Sequence, residues 1–311
     1  MNTFLIKKFS SSIGKTKVSF IGLGNMGFSM ATNMLKSGKH SVYGIDVSKK
    51  LQENFAQQEN ALKVNSFSEA IKDSDFIVTS LPKCSIVKDV VDEIIQSNPK
   101  KGSLFVDTST ISPTISKTNS ENLLRAGVIP SDAPVSGGMN GAKNGTLTFM
   151  VGCEEKDYEN IKELISSMGK NFFYCGGYGS GEVAKLCNNL VLGVTSAALC
   201  ESMAIGKKIG MDMNNLCKIL SVSTGGTGWA LQVNSPVPGF VETSPSNKNY
   251  EGGFGLELIQ KDMHLGVELA KQINCEIKIC ETANVYYTEL KETAPKKDLG
   301  YLYDYLIKKN H

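Results

Sequence analysis

The stretch GSGEVAKLCNN, residues 179–189, sets one lysine, Lys185, at the head of a run that carries no further charge until Glu201. Leu186 to Cys200 is apolar around most of a helical wheel, which predicts a buried helix. An ammonium at the edge of such a helix is partly desolvated, and burial without a partner lowers its pKa. Lys185 therefore either snorkels out at the helix N-terminus or serves a site that uses an amine. Asn189 stands at i+4 on the same helix face, so amine and amide can converge on one oxygen.

A second group of residues lies at the other end of the chain. KVSFIGLGNMG, residues 17–27, reads as a strand running into Gly22, Gly24 and Gly27 in G-x-G-x-x-G spacing, followed by helical periodicity from Met30 to Leu35. Gly22 makes the turn, Gly24 lets a pyrophosphate approach the backbone, and Gly27 lets the helix pack on the strand. The free N–H groups of the helix N-terminus then face the phosphates. SVYGID, residues 41–46, reads as the next strand and ends in Asp46, 19 positions beyond Gly27. A carboxylate there accepts both ribose hydroxyls of NAD and repels the 2′-phosphate of NADP, and Val47 offers no compensating cation. The cofactor expected is NAD. FAD proteins share the turn, but the later motifs do not suit a flavin.

These groups need a scaffold, and the apolar runs supply one. DFIVTSL (75–81), SLFVDTST (103–110) and VIPSDAPVS (128–136) are short strands separated by helical stretches, and LTFMVG (147–152) and NFFYCG (171–176) extend the sheet. From Gly177 to Gly181 the pattern turns helical and stays so. The fold class predicted is α/β: a Rossmann-type doubly wound sheet over residues 17–179, then an all-α C-terminal domain over 180–311. Ligands of such sheets sit at the carboxyl ends of the strands.

Composition narrows the partners. Lys and Arg number 33 against 31 Asp and Glu, and no basic cluster is interleaved with aromatics, so a nucleic-acid surface is not expected. The run from 186 to 200 falls short of the roughly 20 apolar residues of a membrane span. The 8 cysteines include no C-x-x-C pair, and His40, His264 and His311 stand apart, so no metal site is expected. MNTFLIKKFSSSIGKT, residues 1–16, is basic, rich in Ser and Thr, and free of acid, the composition of a mitochondrial targeting segment, although it lacks Arg. The expected location is the mitochondrial matrix.

Taken together, these residues resemble the β-hydroxyacid dehydrogenases over nearly all of 17–310. FIGLGNMG (20–27) is similar to the family's cofactor turn, DAPVSGG (132–138) to its substrate loop, GSGEVAKLCNN to its catalytic helix, and GGFGLELIQKD (252–262) to the segment closing over nicotinamide and substrate. The resemblance implies that Lys185 is the acid/base residue and that Asn189 orients the substrate, with Ser136, Gly137 and Gly138 holding its carboxylate. It implies an NAD site formed by Gly22, Leu23, Gly24, Asn25, Met26, Gly27, Asp46, Leu81, Pro82, Ile86, Thr110 and Lys261, with Thr110 nearest the nicotinamide.

The implied reaction is NAD-dependent oxidation of a 3-hydroxy acid's primary alcohol. The loop VNSPVPGFVETSPSNKNYEGGFG (233–255) favours the branch that takes 3-hydroxyisobutyrate to methylmalonate semialdehyde in valine breakdown. Relatives acting on tartronate semialdehyde, succinic semialdehyde or glyoxylate stand as alternatives, as does a non-catalytic dinucleotide-binding protein on the same fold. TGGTGWALQ (224–232) and KKDLGYL (296–302) depart from the family's usual residues, which bears on substrate choice. The apolar helix suggests a homo-oligomer, a dimer or tetramer.

Overall fold

The structure is a computed structural model and describes residues 15–309, so most of the leader (1–14) lies outside the described residues. Nine strands form one sheet: β1 (Thr16–Ile21), β2 (His40–Ile45), β3 (Ala61–Leu62), β4 (Phe76–Thr79), β5 (Leu104–Asp107), β6 (Ile129–Asp132), β7 (Val135–Ser136), β8 (Leu147–Gly152) and β9 (Gly169–Gly176). The order β3-β2-β1-β4-β5-β6 is parallel and doubly wound. β8 then pairs antiparallel with both β6 and β7, and parallel with β9.

Between the strands run α1 (Gly27–Lys36), α2 (Lys49–Ala56), α3 (Phe67–Asp73), α4 (Cys84–Gln96), α5 (Pro113–Arg125), α6 (Gly138–Asn144) and α7 (Tyr158–Ile165). Successive strand residues point to opposite faces, so the apolar runs feed two cores. Val18, Phe20, Val78 and Val106 pack with Met30 and Met34 of α1 on one face. Ile21, Ile77 and Phe105 pack with Ile71, Val91 and Leu123 of α3, α4 and α5 on the other.

The rest is helical: α8 (Ser180–Lys208), α9 (Met213–Val222), α10 (Trp229–Gln232), α11 (Leu256–Gln272), α12 (Lys278–Thr293) and α13 (Tyr301–Lys308), around a third core that includes Met203, Leu256, Tyr287 and Leu302. The central helix α8 touches α11, α12 and α13 as well as β8 and β9. By length and composition it is apolar enough to cross a membrane, a length that the run 186–200 does not convey.

Two expectations change. VIPSDAPVS is two strands, because Pro134 has no N–H to give to a ladder and interrupts the run between β6 and β7. The helix α8 begins at Ser180, ahead of the apolar run from Leu186, so Lys185 lies in its second turn and is 7% exposed. It does not snorkel.

Candidate active site

The glycine turn can be tested atom by atom. Gly22 has φ +97°, and a Cβ there meets the Ser80 carbonyl oxygen at 2.3 Å; a Cβ on Gly27 meets the Gly22 carbonyl oxygen at 1.9 Å. Both positions are closed to side chains by backbone. A Cβ on Gly24 meets nothing within 4 Å, and Gly24 and Asn25 are exposed, so the turn leaves open space where a pyrophosphate has to approach. Leu23 is buried in the first core with Met26 packed against that core, so these two fix the turn from beneath.

Asp46, at the end of β2, is half-buried. Its Oδ2 accepts the Leu23 N–H at 2.7 Å and its Oδ1 accepts the Ser48 N–H at 2.8 Å. The carboxylate is thereby held against the glycine turn with lone pairs to spare for a diol. Val47 is fully exposed and brings no cation to the spot. Leu81, Pro82 and Ile86 lie after β4 and at the start of α4; the Leu81 N–H donates to Ser109 Oγ at 2.9 Å, which joins the ends of β4 and β5. The residues fit a dinucleotide.

The seam between the sheet and the helical half gathers Thr110, Lys185, Asn189 and Lys261. α8 and α11 approach closely because each carries a glycine at the contact: a Cβ on Gly193 overlaps Met263, and one on Gly266 sits 2.9 Å from Leu190. One turn before these glycines, Asn189 Nδ2 donates to Asp262 Oδ2 at 2.6 Å. Asn188 Nδ2 donates to Asn189 Oδ1 at 2.9 Å, which orients the amide and leaves one Asn189 N–H for a further acceptor. Lys261 Nζ donates to the Thr110 carbonyl at 2.7 Å and lies 3.2 Å from Asp262 Oδ1, so its charge is engaged in joining α11 to the end of β5.

Lys185 Nζ makes no hydrogen bond to any described residue. Burial lowers its pKa; Asp262 and Glu182 pull it up and Lys261 pushes it down. Burial together with Asp107 and Asp132 raises the Glu182 pKa well above the usual range. An amine in this setting exchanges its proton more readily than an exposed lysine.

In the DAPVSGG segment, Ser136 ends β7 half-buried, and Gly137 and Gly138 follow it exposed with φ +132° and +62°, a path that glycine permits. Three acids escape a reading of motifs for chemistry. Asp132, the first residue of DAPVSGG, is buried and accepts the N–H groups of Gly179 (2.7 Å) and Glu182 (3.0 Å), which caps α8; its pKa is pushed up to about 6, chiefly by burial. Gly181 permits this approach, since a Cβ there overlaps the Met150 carbonyl. Glu182, fully buried, accepts the Ile111 N–H at 3.1 Å. Asp262 is buried as the partner of Asn189. Asp132 offers the signal of a polar residue at the carboxyl end of a strand and Glu182 that of the lone acid in GSGEVAK, whereas Asp262 lies within α11 and offers neither.

Residues 17–177 match the family model described as the NAD-binding domain of 6-phosphogluconate dehydrogenase, and residues 179–305 match that described as NAD-binding of NADP-dependent 3-hydroxyisobutyrate dehydrogenase. The chain is 38% identical over 306 residues to the mitochondrial 3-hydroxyisobutyrate dehydrogenase of Drosophila melanogaster, covering 98% of this chain and 93% of that one. To the probable mitochondrial 3-hydroxyisobutyrate dehydrogenase of Dictyostelium discoideum it is 40% identical, covering 97% and 94%. Among solved structures, the 3-hydroxyisobutyrate dehydrogenase of Mycobacterium tuberculosis with L-serine superposes with a TM-score of 0.87 at 31% identity, over 94% of this chain and 99% of that one.

Proposed function

The chain belongs to the 3-hydroxyisobutyrate dehydrogenase family, oxidoreductases with an NAD(P) cofactor, and from that premise we propose that it oxidises 3-hydroxyisobutyrate to methylmalonate semialdehyde with NAD. The observation that carries the reading is Lys185: a buried amine without a hydrogen bond, one turn from an amide locked in orientation by Asp262.

In this reading Gly22, Leu23, Gly24, Asn25, Met26 and Gly27 cradle the pyrophosphate, Asp46 takes the ribose hydroxyls, and Leu81, Pro82, Ile86, Thr110 and Lys261 line the remainder of the cofactor site. The single model name that includes NADP is outweighed by Asp46, whose carboxylate excludes a 2′-phosphate, and by the bare Val47 beside it. NAD held by these residues would supply the acceptor for the hydride of the alcohol carbon.

The chain's own residues do the rest. Ser136 Oγ and the backbone N–H groups of Gly137 and Gly138 hold the substrate carboxylate. The free N–H of Asn189 fixes the reacting hydroxyl, and Lys185 in its neutral form takes that hydroxyl's proton as the carbonyl forms, returning it in the reverse direction. L-serine, named with the mycobacterial structure, also carries a hydroxyl on the carbon next but one to a carboxylate, the pattern this arrangement reads. In this reading the sheet, 17–179, carries most of the cofactor site together with Ser136, Gly137 and Gly138, and the helical half, 180–311, carries Lys185, Asn189 and Lys261.

A panel of 3-hydroxy acids assayed for NADH and NADPH formation tests the reading. The expected result is highest kcat/KM with 3-hydroxyisobutyrate and NAD; preference for another acid or for NADP contradicts it.

Two further properties belong to the proposal. Residues 1–16 direct the chain to the mitochondrial matrix, a reading supported by their composition and by the mitochondrial names of the relatives; a fluorescent fusion that stays diffuse in the cytosol contradicts it. The chain forms a homo-oligomer, supported by the exposed Val191, Ile205, Val222, Ile279 and Val285 on the helical half; a strictly monomeric mass by light scattering contradicts that.

A further inference from the structure

The Thr110–Ile111 peptide unit is gripped at both poles by the helical half. Its carbonyl accepts Lys261 Nζ from α11 at 2.7 Å, and its N–H donates to Glu182 Oε2 from α8 at 3.1 Å. Ile111 is fully buried, so this N–H has no recourse to solvent. Glu182 is itself fully buried, and its other oxygen, Oε1, has no hydrogen-bond partner among the described residues. A carboxyl placed at this cost needs a reason.

Position supplies one. Glu182 and Lys185 stand at i and i+3 on α8, so they share a helix face. Lys261 is the neighbour of Asp262, which holds Asn189. The two grips therefore tie one peptide of the cofactor half to the two helices that carry the reacting amine and the orienting amide.

We propose that Glu182 is a positioning residue, which through the Thr110–Ile111 peptide fixes the nicotinamide side of the site against the helix that carries Lys185. The proposal rests on the reading of Lys185 and Thr110 given above. Glu182 acts here by accepting one N–H. Burial, Asp107 on β5 and Asp132 on β6 raise its pKa, while Lys261 on α11 lowers it, and Lys185 on α8 faces it across the helix turn. Since the hydride leaves one carbon and the proton leaves that carbon's oxygen, acceptor and base must both be in place, and a displacement of about 1 Å between the two halves costs up to ~10²-fold in rate.

The test compares Glu182→Met, which fills the volume without an acceptor, with Glu182→Gln, which keeps one, and runs Lys185→Ala alongside. Two readouts are taken: hydrogen exchange at the Ile111 amide, which needs no turnover, and kcat, KM and NAD affinity with 3-hydroxyisobutyrate. The expected result for Glu182→Met is loss of Ile111 protection with β1 and β4 still protected, a fall in kcat of ~10- to 100-fold, and KM and NAD affinity within about threefold of the parent. Glu182→Gln restores both protection and kcat.

Retained protection or retained kcat in Glu182→Met overturns the proposal. So does a Glu182→Gln variant that loses either, a result that decides the matter even if the Met variant does not fold. Should Lys185→Ala keep its turnover, the acid/base reading fails instead, and Ile111 exchange still reports whether Glu182 holds the peptide.

Discussion

Asp46 and Lys185 are ionisable groups at the two ends of the proposed site, and they are held in opposite ways. Asp46 is half-exposed and accepts two backbone N–H groups, from Leu23 and Ser48, that fix its geometry at little cost. Lys185 is buried, has no hydrogen bond among the described residues, and carries a pKa lowered by that burial. A group that only has to bind is satisfied by its neighbours before the ligand arrives. A group that has to exchange a proton is left unsatisfied, and the surrounding helices hold it there.

The contrast breaks most visibly at Lys185. Lys185→Met is expected to lower kcat by at least ~10²-fold, the usual contribution of a positioned acid/base. It is also expected to leave the thermal midpoint unchanged or raised, because it removes an unpaired buried amine. Steady-state kinetics and a melting curve read both; a large loss of stability means the lysine is structural.

At the opposite pole, Asp46→Ala is expected to reduce the preference for NAD over NADP by ~10- to 100-fold, the value of hydrogen bonds to a charged group. The ratio of kcat/KM for the two cofactors reads this, and an unchanged ratio contradicts the carboxylate argument. Asn189→Ala sits between the poles, since its amide both orients and is bound. It is expected to lower kcat about tenfold through misplacement of the reacting oxygen, and to cost about 1–3 kcal/mol of stability by leaving Asp262 without its partner. Denaturant unfolding separates the two effects.

The smallest change is Gly24→Ala, expected to leave stability within about 0.5 kcal/mol while weakening NAD binding several-fold, because the added methyl enters open space kept for the phosphates. A binding isotherm unchanged from the parent contradicts the cradle.

The same contrast separates what the sequence discloses from what it hides. Apolar runs ending in Gly22, Asp46, Pro82 and Thr110 are local signals, and they place β1, β2, β4 and β5 with the cofactor turn. The two-residue strand β3 is too short to leave a pattern, and Pro134 divides a run that looks continuous. The start of α8 is set by Asp132, which accepts the N–H groups of Gly179, 47 residues away, and of Glu182. Asn189 meets Asp262 across 73 residues. Periodicity reports which face is apolar, and motif spacing reports which residues can share a turn. Neither reports the buried carboxylates that hold the seam from distant segments.

The central claim is that burial tunes Lys185 for proton transfer, and the pH dependence of kcat/KM for 3-hydroxyisobutyrate oxidation measures it most directly. Oxidation requires the neutral amine, so the rate constant is expected to rise with pH and level off above the Lys185 pKa; reduction of the semialdehyde requires the ammonium and is expected to fall across the same window. Burial places the midpoint below the ordinary lysine value of 10.5. A shared midpoint below that value, absent from the residual activity of Lys185→Met, is the predicted result. A midpoint at or above 10.5, or one that persists in the variant, contradicts the account.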